Sequence, residues 1–141
     1  MPQRILLADD HAMIRVATQA LLESLGYQVL AVTDGAEAVE ACTGEDFDLI
    51  LMDCQMPVMD GYEATARIRR YQAETDSDHT PIIGLSGRTL NADGDAAIAS
   101  GMDDYLTKPA NIPLLTSVLE ELESTDDSWG LGSRVDADAN R

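Results

Sequence analysis

The chain is 141 residues long, enough for one domain of ordinary size and too short for two substantial ones. Hydrophobic residues at 45% and charged residues at 25% exclude an intrinsically disordered chain. Nine basic against 26 acidic residues leave a net charge of −17, which repels phosphate backbones and disfavours direct nucleic-acid binding.

The run 4–8, Arg-Ile-Leu-Leu-Ala, reads as a strand buried on both faces. Over 12–25, Met13, Val16, Ala17, Ala20, Leu21 and Leu25 recur at helical spacing, and Gly26 is a natural stop. A second strand follows over 27–32. A second helix starts at Asp34-Gly35, carries Ala36, Ala38, Val39 and Cys42, and ends at Gly44. A third strand, the most apolar, covers 47–52. Pro57 and Gly61 keep the next segment from being helical. A third helix is expected over 62–71, a polar surface connection over 72–80 and a fourth strand over 81–85. An Ala-rich fourth helix over 92–100, a short fifth strand over 104–107 and a fifth helix over 112–122 complete the pattern. The folded domain is expected over 1–123, with 124–141 an acidic, mobile tail.

No apolar run approaches the roughly 20 residues of a membrane span, nor is there a signal-peptide core, so a membrane role is disfavoured. Cys42 and Cys54 match no metal spacing and read as reduced thiols of a cytoplasmic protein. Eight of the nine basic residues are Arg, and the sole lysine, Lys108, stands immediately before Pro109.

Strict alternation of five strands with five helices implies an α/β fold. The expected form is a flavodoxin-like doubly wound (βα)5 three-layer sandwich, its parallel sheet ordered 2-1-3-4-5. Sites in such sheets form beyond the carboxyl ends of the strands. There stand Asp9 and Asp10 after the first strand, Asp53 after the third, Ser86 after the fourth and Lys108 after the fifth. Each has an ordinary alternative. Asp9 or Asp10 could cap a helix, Asp53 open a turn, Ser86 serve as a turn hydroxyl, and Lys108-Pro109 end a surface strand. Four such coincidences at four strand ends are what tells against those alternatives. His11 and His79 are expected as surface histidines.

Three carboxylates about 4 Å apart would repel by roughly 4 kcal/mol per pair at an effective dielectric near 20, about 12 kcal/mol in all before relaxation. That rivals the stability of a whole domain. The cluster therefore calls for a cation, and an all-oxygen site suits Mg2+. A carboxylate beside Mg2+ and an ammonium is a fitting nucleophile toward a phosphoryl group.

Four motifs then carry a resemblance: the acidic pair in Leu7-Ala8-Asp9-Asp10; Leu51-Met52-Asp53-Cys54-Gln55-Met56-Pro57-Val58-Met59-Asp60-Gly61; Gly84-Leu85-Ser86-Gly87; and Gly101-Met102-Asp103-Asp104-Tyr105-Leu106-Thr107-Lys108-Pro109. From about residue 4 to 123 the chain resembles the receiver domain of two-component response regulators. The resemblance implies Asp53 as phosphoacceptor, Asp10 as direct Mg2+ ligand, Asp9 acting largely through water, and the Gln55 backbone carbonyl as a further metal ligand. It implies Ser86 as switch hydroxyl, Tyr105 as the aromatic that follows it, Lys108 as phosphoryl-binding lysine, and a cis Lys108–Pro109 peptide.

The implied function is acceptance of a phosphoryl group from a histidine kinase or histidine phosphotransfer protein. Partner binding on the face of helix 4, strand 5 and helix 5 changes in response. Such a protein assists its own phosphorylation without being a turnover enzyme. Met1 just before the first strand, with no output domain beyond Glu123, favours a single-domain, monomeric regulator acting on a protein target. The Asp53-Cys54-Gln55-Met56-Pro57 wording favours instead a receiver segment of a hybrid histidine kinase or phosphorelay. A remoter alternative is a haloacid-dehalogenase-type phosphatase, which needs a second Asp where this chain has Gln55. A flavodoxin-like electron carrier is disfavoured by the acidic turn after the first strand, and a purely structural module would bind no Mg2+.

Overall fold

The apolar runs become the strands of one parallel sheet. The computed structural model describes residues 4–77, 79–86 and 98–107. In chain order these form β1 (Arg4–Ala8), α1 (Ala12–Ser24), β2 (Gln28–Val32), α2 (Gly35–Gly44), β3 (Leu49–Asp53), α3 (Gly61–Glu74), β4 (Ile82–Ser86) and β5 (Asp104–Thr107). Every neighbouring pair is parallel and the order is β2-β1-β3-β4-β5. This is the flavodoxin-like α/β architecture that the alternation predicts. Residues 98–100 are helical. The rest of the expected fourth helix, the fifth helix over 112–122 and the tail over 124–141 lie outside the described residues.

Alternation of side chains along each strand divides the core in two. Ile5, Leu7, Leu49, Leu51, Ile83 and Leu85 point to one side, where Leu22 of α1 and Tyr27 complete the cluster. Leu6, Ala8, Ile50, Met52 and Ile82 point to the other, against Ala38 of α2 and Ala64 and Ile68 of α3. Residues 5–8 and 49–52 are therefore continuously apolar because both faces are covered. Each large side chain buried this way contributes about 2 kcal/mol of transfer free energy.

The apolar positions that mark α1 divide between solvent and core: Met13 is 87% and Val16 62% exposed, and Leu25 is exposed too. Thr18 and Leu22 are buried instead, with Leu21 packed against the core beside them. The helix carries two apolar stripes, and docking on the sheet selects the one that joins the cluster of Ile5, Leu7 and Tyr27. Helix α3 also runs to Glu74, beyond the expected end at residue 71, because Gln72, Ala73 and Glu74 are good helix formers. It ends in a left-handed Asp76 (φ 55°), with Ser77 N–H donating to Gln72 O at 2.9 Å. Helix α1 ends the same way at Gly26 (φ 99°), where Tyr27 N–H donates to Leu22 O at 3.1 Å.

Candidate phosphoacceptor and cation site

Because the sheet is parallel, the carboxyl ends of its strands share one edge. Ala8 pairs with Met52, Asp53 with Leu85 and Ser86 with Thr107, so the residues that end β1, β3, β4 and β5 stand side by side. Asp53 is the last residue of β3 and only 2% exposed, and Asp9, just beyond β1, is fully buried. Asp10 is exposed at the rim.

Backbone groups fix the carboxylates. Asp9 N–H extends the β1–β2 ladder by donating to Val32 O at 3.1 Å. Its Oδ1 accepts from His11 N–H at 2.8 Å, and its carbonyl accepts from Arg15 Nη1 at 2.9 Å. Asp53 Oδ1 accepts from Gln55 N–H at 3.2 Å. The loop after Asp53 is held from both sides, Cys54 N–H donating to Leu85 O at 2.9 Å and Gly61 N–H to Cys54 O at 3.0 Å. A Cβ at position 61 would collide with the Asp53 carbonyl, so only glycine lets α3 start this close to the acid. At the loop tip Val58 adopts φ 69°, a conformation that costs a β-branched residue about 1–3 kcal/mol. Asp60 then caps α3, its Oδ1 accepting from Glu63 N–H at 2.9 Å.

One ligand atom each from Asp9, Asp10, His11 and Asp53 lies within 4.8 Å of the others. At that spacing each carboxylate pair repels by about 3–4 kcal/mol for an effective dielectric near 20. The three acids read from the sequence are thus brought together. Their oxygens are hard donors of the kind a small divalent cation takes, so the residues fit the Mg2+ expected from the sequence. His11 is exposed, as expected of a surface histidine, but its ring stands in the cluster, a placement that the sequence reading missed. Its signal was adjacency: a residue directly after two such acids shares their rim.

Gln55 is exposed beside the cluster. Ser86 and Tyr105 are placed by their backbone, Ser86 at the end of β4 and Tyr105 paired with Gly84. Their side chains, and the whole of Lys108 and Pro109, lie outside the described residues. At the opposite end of the sheet, sequence reasoning missed a second polar centre. Asp103 Oδ2 accepts from Arg69 Nη2 at 2.7 Å and Ile82 N–H at 2.8 Å, while its Oδ1 lies 2.7 Å from His79 Nε2. Burial weakens the basicity of Arg69, and Asp103 opposes that shift. Among the described residues no helix is long and apolar enough to cross a membrane.

A family model for the response regulator receiver domain matches residues 5–120. Over 116 residues the chain is 43% identical to the sensor protein GacS of Pseudomonas syringae pv. syringae, an alignment covering 82% of this chain. The chain spans only 13% of the length of that relative. Among solved structures it is similar to the receiver domain of sensor histidine kinase PA1611 from Pseudomonas aeruginosa PAO1. That structure has a magnesium ion coordinated in its active site cleft; the TM-score is 0.78 and the identity 37%, over 89% of this chain and 100% of that one. The co-crystal structure of the Saccharomyces cerevisiae histidine phosphotransfer protein Ypd1 with the receiver domain of Ssk1 gives a TM-score of 0.80 and 27% identity, over 89% of this chain and 94% of that one. A family match over most of the chain, on a sheet whose carboxyl edge gathers Asp9, Asp10 and Asp53, shows that this chain belongs to the response regulator receiver domain family.

Proposed function

We propose that Asp53 accepts a phosphoryl group from a phosphohistidine of a histidine kinase or phosphotransfer protein, in a Mg2+-dependent reaction. The observation that carries this reading is the buried Asp53 carboxylate held within 4.8 Å of Asp9 and Asp10 at the carboxyl edge of the sheet. An Asp53 oxygen attacks phosphorus as the P–N bond to the donor imidazole breaks, leaving an aspartyl phosphate and a neutral donor histidine. Asp10 and Asp53, with Asp9 through water and the Gln55 carbonyl, would hold Mg2+, whose chemistry is to neutralise charge on the phosphoryl oxygens. In the same reading Lys108 contacts those oxygens and Ser86 donates a hydrogen bond to one of them. Tyr105 follows Ser86, biasing two packings of the helix 4–strand 5–helix 5 face and so its affinity for a protein target.

Met13 and Val16, on the first turns of α1 after His11, and Val58, in the loop after Asp53, are exposed. We read them as part of the footprint of a protein donor. Val16→Glu is then expected to slow transfer from a phosphohistidine protein at least about fivefold, while acetyl phosphate labels both proteins equally. Equal transfer rates would remove α1 from the footprint.

The direct test is intact mass after incubation with acetyl phosphate, with and without Mg2+. One phosphoryl unit on wild type, only with Mg2+, and none on Asp53→Ala is the expected result. Adducts on both proteins would overturn the assignment of Asp53, and repeated turnover of an aryl phosphate would favour the phosphatase. The match to only 13% of the length of the sensor protein GacS supports the reading as a receiver segment of a hybrid histidine kinase or phosphorelay; the free-standing regulator is the other reading.

A further inference from the structure

We propose that a cavity at the amino edge of the sheet binds a small organic cation, an amidinium, guanidinium or amine carried on an apolar body. The cavity measures about 500 Å3, inside the range of roughly 300–1,000 Å3 typical of small-molecule sites. It opens where the end of α2 leads into β3 and the end of α3 leads into β4, and it shares no residue with the Asp9–Asp10–Asp53 cluster. Its walls are pre-formed. Arg69 Nη1 donates to Thr80 O at 2.7 Å and to Gln72 Oε1 at 2.9 Å, which fixes the side between α3 and β4. Tyr71 O–H donates to Thr43 O at 3.3 Å, which ties α3 to α2 across the other side.

The lining decides the class of ligand. Its floor is apolar, made by the buried Phe47, Ile50 and Ile68. Its rim carries Glu45, Asp46, Asp48 and Asp76. Among the described residues that line it, His79 is the sole basic side chain, and its Nε2 lies 2.7 Å from Asp103 Oδ1. An anion is repelled by such a rim, and a neutral apolar molecule gains only the floor. The chain itself displays the matching chemistry: the Arg4 guanidinium meets Glu45 while lying 5.2 Å from the centroid of the Phe47 ring. Arg4 N–H also donates to Asp48 Oδ2 at 2.8 Å. The carboxylates of Asp46 and Asp76 make no hydrogen bond or ion pair among the described residues, so their charge is left for a ligand. Concavity separates these acids from the rest of a surface at −17, because low-dielectric walls concentrate the field of the rim.

The competing account is a water-filled crevice whose acids attract cations no better than any exposed carboxylate. The 15N-labelled full-length chain is titrated with benzamidine and with benzamide, its neutral counterpart, and amide chemical shifts are followed. Benzamidine should shift amides within 42–50 and 68–81 and saturate by about 10 mM, with benzamide at least about fivefold weaker. Asp46→Asn combined with Asp76→Asn should weaken benzamidine at least about fivefold. Asparagine tolerates the left-handed backbone of residue 76 (φ 55°), so that variant keeps the fold. Glu23→Gln combined with Glu63→Gln also removes two exposed charges, outside the cavity, and should leave affinity within about twofold. Shifts scattered over the acidic surface without saturation, no shifts at all, equal losses in the two double variants, or benzamide binding as tightly as benzamidine would each overturn the proposal.

Discussion

At the amino edge of the sheet, Asp103 meets a guanidinium, a backbone N–H and an imidazole, all within 2.8 Å. Arg69 directs its remaining donors to Gly101 O, Thr80 O and Gln72 Oε1, at 2.7–2.9 Å. At the carboxyl edge, Asp9, Asp10 and Asp53 are pressed against one another. The same residue type meets a guanidinium and an imidazole at one edge, where it ties α3 to β4 and the start of β5, and is gathered with two further carboxylates at the other. In the proposed function the first arrangement serves stability and the second serves the site at a cost in stability.

The largest expected effect that would break this comparison is at the amino edge. Arg69→Met leaves Asp103 without its main charge partner and should cost about 3 kcal/mol in urea unfolding. A change under about 0.5 kcal/mol would mean that this centre holds nothing together. At the carboxyl edge the sign reverses. Without divalent ions, Asp53→Asn should stabilise the fold by about 1–2 kcal/mol, since it removes one member of the repulsive cluster. Saturating Mg2+ should narrow or reverse that gap, because only the wild type retains all the ligands. Destabilisation by Asp53→Asn in the absence of metal would contradict the repulsion argument.

The smallest effect is at Cys42 of α2. Burial pushes the Cys42 thiol up to about 12, with Arg69 opposing. A raised thiol value favours the neutral form in the fold, so its contribution is intact below the ordinary value near 8.5 and is lost as pH climbs from there toward 12. At pH 8 the folded chain should therefore alkylate at Cys42 at least about tenfold slower than the urea-unfolded chain. Equal rates would show the thiol to be open to water.

Much of the site was legible because it is written locally. An acid directly after a buried apolar strand has one place to go in a parallel sheet, so Asp9, Asp10 and Asp53 could be assigned to one edge from chain order alone. His11 was read as surface because adjacency alone does not say where a ring turns; the bond from its N–H to Asp9 does. Arg69 and Asp103 are 34 residues apart, and no local pattern joins them.

The sequence by itself determined the strand positions, the parallel class and the acidic edge, since burial on both faces demands unbroken apolar runs and such sheets place their strand ends together. Only the tertiary structure decided which stripe of α1 faces the core, because Met13 and Val16 are as apolar as the Leu21 and Leu22 that won the interior. It also decided that His11 joins the carboxylates and that Arg69 closes the far edge. Those outcomes depend on how elements dock, and docking energies are shared among residues that the chain order keeps far apart.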